Sequence, residues 1–364
     1  MKLWIAVFFL LPIVGLCYAA WRIWWLLPAS VAVKTLAVVL LAAGFAGLIF
    51  YIRSGLDMCS RPVAIALYEA ITAWPIVLLY LVMVFLALDL GRLCGLVPRD
   101  WMIHSMKGTI AIAAFLLAIM VYGNWNYRQK IRRTIDITTE KPLPRPLKIV
   151  MMSDLHLGYH NRRAELRRWI DMVNAEKPDL ILVAGDIIDI SVKPLLDENM
   201  AQEWLRLNAP VYACLGNHEY YAHSQKARQF YRDANIHLLI DSVAIVEGVE
   251  IVGRDDRTNP QRKSLENIMK SCNKQAYTIL LDHQPYNLEE AEHNGIDFQL
   301  SGHTHGGQVW PISWIEKLMY EKPYGAYQRG NTQYYISSGI GIWGAKIRIG
   351  TCSEYIVMNL HNAK

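Results

Sequence analysis

A transmembrane region of about four α-helices, followed by an α/β domain, is the fold class the sequence predicts. Three observations predict it. Apolar residues make up 53% of the 364 positions and charged residues 19%, below the quarter usual for a soluble domain, and the apolar excess lies before about residue 125. From Leu147 onward, short apolar runs alternate with stretches of helical spacing. Five polar patches mostly follow those runs: Ser153-Asp154-Leu155-His156, Gly185-Asp186, Gly216-Asn217-His218-Glu219, His283 and Gly302-His303-Thr304-His305-Gly306-Gly307. The strand ends of an α/β sheet are where such residues collect into one site.

Residues 1–125 are read as a helical anchor with apolar segments at Leu3–Ala20, Val31–Ile52, Val63–Leu88 and Thr109–Tyr122. A crossing needs about 20 apolar residues. The second and third segments reach that length, the first is adequate, and the fourth is short but flanked by aromatics. Trp21, Trp24, Trp25, Trp101, Trp125 and Tyr127 lie at segment ends, where an interfacial belt belongs. Pro12 and Pro75 interrupt two segments, which membrane helices tolerate. Lys2, an apolar stretch and Ala19-Ala20 imitate a secretory signal, but three more apolar segments follow, so an uncleaved anchor is the simpler reading. Leu16 before Cys17 argues against lipoprotein cleavage. Asp57, Glu69 and Asp89 are read as interface residues at segment ends.

With four crossings, Lys2, Arg53, Arg61, Arg128, Lys130, Arg132 and Arg133 share one side of the membrane. Arg22, Lys34, Arg92, Arg99 and Lys107 share the other. The dense basic cluster at 128–133 assigns the C-terminal domain to the cytoplasm. Six Cys without a Cys-x-x-Cys pair give no sign of a structural zinc site or a disulfide framework. A formal charge of +5 is too modest to point to nucleic acid.

Residues 126–147 are read as a basic, Pro-rich linker. Its arginines suit anionic headgroups, and Pro142, Pro144 and Pro146 stiffen it. Residues 148–364 carry the α/β pattern: strands at Leu147–Met152, Leu180–Ala184, Val211–Leu215, Thr278–Leu281 and Phe298–Leu300, with a helix at Arg163–Ala175 marked by Leu166, Trp169, Ile170 and Val173. Asp154, Asp186 and Asn217 recur at intervals of about 30 residues, one strand–helix–strand unit each. Their side chains should therefore meet at one sheet edge. Oxygen and imidazole donors in this mixture suit hard and borderline divalent cations, and the set is large enough for two.

Asp-x-His, Gly-Asp, Gly-Asn-His-Glu, a lone His and Gly-His-x-His, in that order, resemble the calcineurin-like metallophosphoesterase superfamily over about Leu147 to Leu360. The strings Gly302-His303-Thr304-His305-Gly306-Gly307-Gln308 and Ser337-Ser338-Gly339-Ile340-Gly341 look like its membrane-associated bacterial branch, which includes phosphodiesterases and hydrolases of UDP-2,3-diacylglucosamine. The resemblance implies a two-sheet β sandwich flanked by helices, in a bacterial inner-membrane protein. It implies two divalent ions (Mn2+, Fe or Zn2+): one on Asp154, His156 and His305, the other on Asn217, His283 and His303, with Asp186 bridging. It also implies a solvent-derived hydroxide attacking phosphorus in line, Asn217 orienting the phosphate, and His218 as acid for the leaving oxygen. The expected substrate is a phosphodiester or pyrophosphate of a phospholipid or nucleotide-lipid. A phosphomonoester or phosphoprotein substrate, and a non-enzymatic metal-binding sensor or scaffold, are the alternatives.

His283 is assigned from Asp282-His283-Gln284-Pro285 and its position. Arg162, Arg163, Arg254 and Asp256 are candidate substrate-binding residues, against solvated helix-start and strand-end roles. Asp189 reads as a loop or helix cap, and His160, His223, His237, His293 and His361 as surface residues. Val309–Tyr320 is apolar for a loop beside a site. It either dips into the bilayer to admit an acyl chain or caps the sheet.

Overall fold

The computed structural model describes residues 2–363. Two compact units emerge: one reaches Trp125 and takes in Gly344–Ile347, and the other comprises Asn126–Trp343 and Arg348–Lys364.

The first unit is helical: α1 (Lys2–Leu26), α2 (Val31–Ser54), α3 (Arg61–Leu93) and α4 (Met106–Arg128). By length and composition α2, α3 and α4 can each cross a membrane, and Leu10–Leu26 forms a shorter apolar helix. α4 extends beyond the apolar window read from the sequence, because Asn124, Asn126 and Arg128 continue its helical turns past the hydrophobic stretch. Pro12 and Pro75 sit inside α1 and α3. Arg22 and Asp89 differ from expectation. They lie within α1 and α3 and form an ion pair at 3.0 Å, with the Arg22 side chain buried. Intramembrane charges are costly alone and persist when paired.

The second unit is an α/β sandwich. Its strands are β1 (Lys130–Thr139), β2 (Leu147–Met152), β3 (Leu180–Ala184), β4 (Val211–Cys214), β5 (Ile236–Leu238), β6 (Ser242–Val246), β7 (Val249–Gly253), β8 (Tyr277–Leu281), β9 (Phe298–Ser301), β10 (Gly325–Arg329), β11 (Thr332–Ile336) and β12 (Ser353–Asn362). Its helices are α5 (Arg163–Ala175), α6 (Lys193–Asp197), α7 (Ala201–Trp204), α8 (Asn217–Tyr221), α9 (Ser224–Asp233), α10 (Leu265–Met269), α11 (Glu289–His293) and α12 (Ile312–Met319). One six-stranded sheet runs β1-β12-β2-β3-β4-β5 and the other β10-β11-β9-β8-β7-β6. β2 to β5 are mutually parallel, as are β7, β8, β9 and β11.

Strand alternation builds the layers. Ile149, Met151, Leu180 and Leu182 face Ile251, Ile279, Leu281 and Leu300 between the sheets. Their neighbours Val150, Ile181 and Val183 face Leu166, Trp169 and Phe230 of the helices. Val252 and Leu280 do the same toward Leu265, Ile268 and Leu288 on the far side. A strand buried on both faces reads as a continuous apolar run, which is why β3 and β8 were legible.

Half of the segment read as a linker is strand. β1 pairs in parallel with β12 from Lys130–Ser353 to Thr139–Asn362. Its basic residues sit on an edge strand, where charge is tolerated and deters edge-to-edge pairing.

Candidate metal centre

The carboxyl ends of β2, β3 and β4 in one sheet, and of β8 and β9 in the other, converge. Asp154 and His156 follow β2, Asp186 follows β3, and Asn217 opens α8 after β4. His283 follows β8, and His303 and His305 follow β9. Five of these residues hold left-handed backbone: Asp154 (φ 53°), His156 (φ 45°), Asp186 (φ 52°), His303 (φ 74°) and His305 (φ 53°). Such conformations cost about 1–3 kcal/mol each and persist where surrounding structure imposes them, commonly at functional sites.

Two clusters result. In the first, donor atoms of Asp154, His156 and His305 lie within 4.8 Å of one another. The two Nε2 atoms are 3.1 Å apart, and Asp154 Oδ1 stands 3.8 Å and 3.7 Å from them. In the second, Asp186, His283 and His303 gather in the same way. His283 Nε2 is 3.1 Å from Asp186 Oδ2, and Asn217 Oδ1 is 2.9 Å from His303 Nδ1. Asp186 Oδ2 is also 3.6 Å from His156 Nε2. One carboxylate oxygen thus faces both clusters.

The donor set fits divalent cations. Metal–nitrogen bonds of about 2.0–2.1 Å separate neighbouring ligand atoms by roughly 3.0–3.4 Å, and the donors here stand 2.9–3.8 Å apart. Asp154 Oδ2 is buried with no hydrogen-bond partner, a cost the fold sustains when a ligand meets the group.

The surroundings orient these donors. His283 Nδ1 faces the Ala184 carbonyl at 2.7 Å, which leaves Nε2 for the site. Asp189, expected as a loop cap, is fully buried. Its Oδ1 lies 3.3 Å from His156 Nδ1 and 3.4 Å from His218 Nδ1, and its carbonyl is 3.0 Å from His218 Nδ1. The only signal for it was its place three residues after Asp186. Glu219 accepts from the backbone N–H groups of Asp186, Ile188 and Gly216 and so ties the β3 and β4 ends together. Burial, reinforced by the Asp186 charge, pushes its carboxyl up to about 7. Burial pushes His303 down to about 4 and His305 to about 3, whereas burial is outweighed by the facing carboxylates at His156, held up at about 10, and at His283, held well above its ordinary value. For Asp154 and Asp186, burial works upward but the neighbouring imidazoles outweigh it, and both carboxyls lie below the usual range.

The substrate-binding candidates are engaged elsewhere. Arg163 Nε donates to Glu203 at 2.7 Å. Arg254 is buried against Asp282 and Glu290 at 3.2 Å and 2.7 Å. Asp256 accepts from Gln284 and Thr258. Only Arg162 of the four is exposed. His160, expected at the surface, is buried with Nε2 2.6 Å from the Ile342 carbonyl. His223, His237 and His293 are exposed as expected.

Known proteins match this chain. A family model for calcineurin-like phosphoesterases matches residues 147–307. An uncharacterised metallophosphoesterase of Campylobacter jejuni is 32% identical over 256 residues, covering 68% of this chain and 68% of that protein. A Helicobacter pylori metallophosphoesterase is 29% identical over 266 residues, covering 70% and 71%. A Danio rerio protein named a transmembrane protein with metallophosphoesterase domain is 31% identical over 273 residues, covering 69% and 62%.

Proposed function

The chain belongs to the calcineurin-like metallophosphoesterases and is a metal-dependent phosphoesterase; from that premise we propose that it is a membrane-anchored, two-metal hydrolase of a lipid or nucleotide-lipid phosphodiester or pyrophosphate. The observation that carries the two-metal reading is Asp186 Oδ2, which faces His283 Nε2 at 3.1 Å and His156 Nε2 at 3.6 Å. Asp154, His156 and His305 would hold one cation and Asn217, His283 and His303 the other, with Asp186 shared between them. Two cations bound there supply Lewis-acid charge and lower the pKa of water toward about 7.

The chain's own residues do the rest. Asn217 orients the phosphate with the end of its side chain. His218 engages Asp189 through Nδ1, so Nε2 is the atom left to deliver a proton to the leaving oxygen. Mn2+, Fe and Zn2+ all suit these donors.

The anchor reading rests on α2, α3 and α4, each long and apolar enough to cross a membrane. A tethered hydrolase meets a two-dimensional substrate pool, which favours lipid over soluble phosphoesters. The basic cluster at 128–133 supports a cytoplasmic catalytic domain at a bacterial inner membrane. The complete donor set and His218 speak against a sensor or scaffold.

Full-length protein in detergent with Mn2+ and bis-(p-nitrophenyl) phosphate tests the reaction class, and turnover that stops on chelation is expected. Incubation with a total lipid extract, followed by mass spectrometry, tests the substrate class. If no lipid species is consumed while the soluble diester is, the lipid reading fails.

A further inference from the structure

α12 follows the His303–His305 loop by a few residues and lies along the rim of the candidate metal centre. Its N-terminal half rests on the loop: a Cβ at Gly307 would come within 2.4 Å of Ser313 Cα. Past its C-terminal end, the Tyr320 ring stands 6.4 Å from His303, with its hydroxyl 2.9 Å from that of Tyr286. The helix therefore spans from the neighbourhood of one cluster to that of the other.

None of its residues is buried. Trp314, Ile315 and Met319 are exposed, and Leu318 is 88% exposed. A helix on a water-soluble surface normally turns such a stripe inward. Here the inward position goes to Glu316, whose Oε2 is buried without a partner. Burial pushes its carboxyl up to about 8, against a hydrogen bond from the Gly307 backbone.

Cations flank the stripe. Lys317 and Arg257 are exposed, and the Arg257 guanidinium lies 4.3 Å from the Tyr286 ring. Glu321 pairs with Arg329 at 2.8 Å, a guanidinium that also meets Glu292 at 2.7 Å. Tryptophan and aliphatic side chains framed by cations are the composition that seats a helix in the headgroup region of an anionic bilayer. The same chain carries three helices able to span one.

We propose that α12 is an interfacial helix that inserts Trp314, Ile315 and Leu318 into the lipid surface and presents the adjoining metal centre to headgroup phosphates. This rests on the lipid reading above and adds the surface that enforces it.

The test uses the full chain reconstituted in phosphatidylglycerol/phosphatidylcholine vesicles, with photoreactive p-benzoylphenylalanine replacing Leu318 or, as a control, the exposed Ile245 of β6. Turnover of bis-(p-nitrophenyl) phosphate is measured alongside and reports the folded site. The expected result is a lipid adduct at position 318, at least tenfold above position 245. Absence of that adduct, or cross-linking of 318 to a second copy of the chain, overturns the proposal. The double variant Trp314→Ser/Leu318→Ser should keep soluble-diester turnover within about twofold. A loss of soluble-diester turnover well beyond twofold in that variant would make α12 part of the catalytic fold and overturn the proposal as well. A lipid adduct without consumption of any lipid species sinks the lipid-substrate reading and leaves the interfacial helix standing. Consumption without an adduct does the reverse.

Discussion

The guanidinium of Arg348 donates to the backbone carbonyl of His305 at 2.9 Å. The same side chain reaches the carbonyls of Gly341, at 3.1 Å, and Ser338. It is fully buried, and among the described residues no carboxylate pairs with it. Burial lowers its proton affinity, yet an arginine stays charged in proteins. The loop after β9 and the chain after β11 are thus held at fixed separation by one planar fork, with His305 at its tip.

Arg348→Met should leave those carbonyls buried and unmet, at about 1–3 kcal/mol per group, and release His305. We expect a lower thermal unfolding midpoint and 10–100-fold weaker metal retention. Arg348→Lys keeps the charge but loses the fork, and should fall between. Calorimetry and metal analysis on the two variants decide it: a Met variant that unfolds and loads like wild type would show that the fork is dispensable.

Gly216 has no room for a side chain, since a Cβ there would lie 2.1 Å from Asp186 Oδ1. Its φ of −110° is ordinary, so the constraint is contact and not backbone conformation. Gly216→Ala should therefore displace the Asp186 carboxylate. Turnover should fall about 100-fold or more while the fold is retained, because one misplaced ångström at a reacting centre costs that much. Circular dichroism beside a turnover assay separates this from global unfolding.

These residues mark what the sequence disclosed and what it withheld. The convergence of Asp154, Asp186, Asn217, His283, His303 and His305 was legible because each follows an apolar run, and strand ends are local events. The interleaving of β12 between β1 and β2 was not, since partners more than 200 positions apart leave no periodic trace. β1 was hidden under its own charges. Asp189 and Arg348 looked like ordinary polar residues, as nothing in a linear pattern distinguishes a buried charge from a solvated one. The apolar stretch of α12 fits a bilayer contact and a cap over the sheet equally well in sequence, and only its folded surroundings set its exposure.

Asp189→Asn should act through its neighbours. It removes the charge 3.3 Å from His156 Nδ1 and 3.4 Å from His218 Nδ1. Loss of a group that orients metal-ligating histidines costs about 10–100-fold. Leaving groups separate this from simple destabilisation. If His218 is the proposed acid, an alkyl phosphodiester, whose leaving oxygen needs a proton, should suffer more than a p-nitrophenyl ester. An equal deficit on both would mean that Asp189 does not position His218.

Glu203 predicts a pH dependence of stability. It is buried and receives Arg163 and Arg167 at 2.7 Å and Arg206 at 2.9 Å. The Arg167 hydrogen bond, aided by the other two arginines against burial, holds its carboxyl down at about 2, from an ordinary 4.5. A depressed folded-state value means that the stabilisation is present in full above about pH 4.5 and is lost as pH falls toward 2. Glu203→Gln should thus cost roughly 1–3 kcal/mol at pH 7, with the gap to wild type closing across that window. Thermal melts of both proteins from pH 7 to pH 3 check it, and a gap that stays constant would refute the assignment.

Asp186→Asn is the sharpest variant for the two-metal reading. The amide can still accept the His218 backbone N–H that now meets Asp186 Oδ1 at 3.0 Å, so the loop end keeps its anchor. What it cannot do is offer a second anionic oxygen between His283 and His156. Wild type should bind about two metal equivalents per chain and the variant at most one, with turnover of bis-(p-nitrophenyl) phosphate reduced by about a thousandfold or more. His218→Ala should keep both metals and lose about 10²–10⁴ in rate, the range for a missing general acid. The two variants therefore part on metal content: Asp186 is needed for loading, His218 only for rate. Undiminished turnover in Asp186→Asn, with both metals retained, would show that the carboxylate bridges nothing.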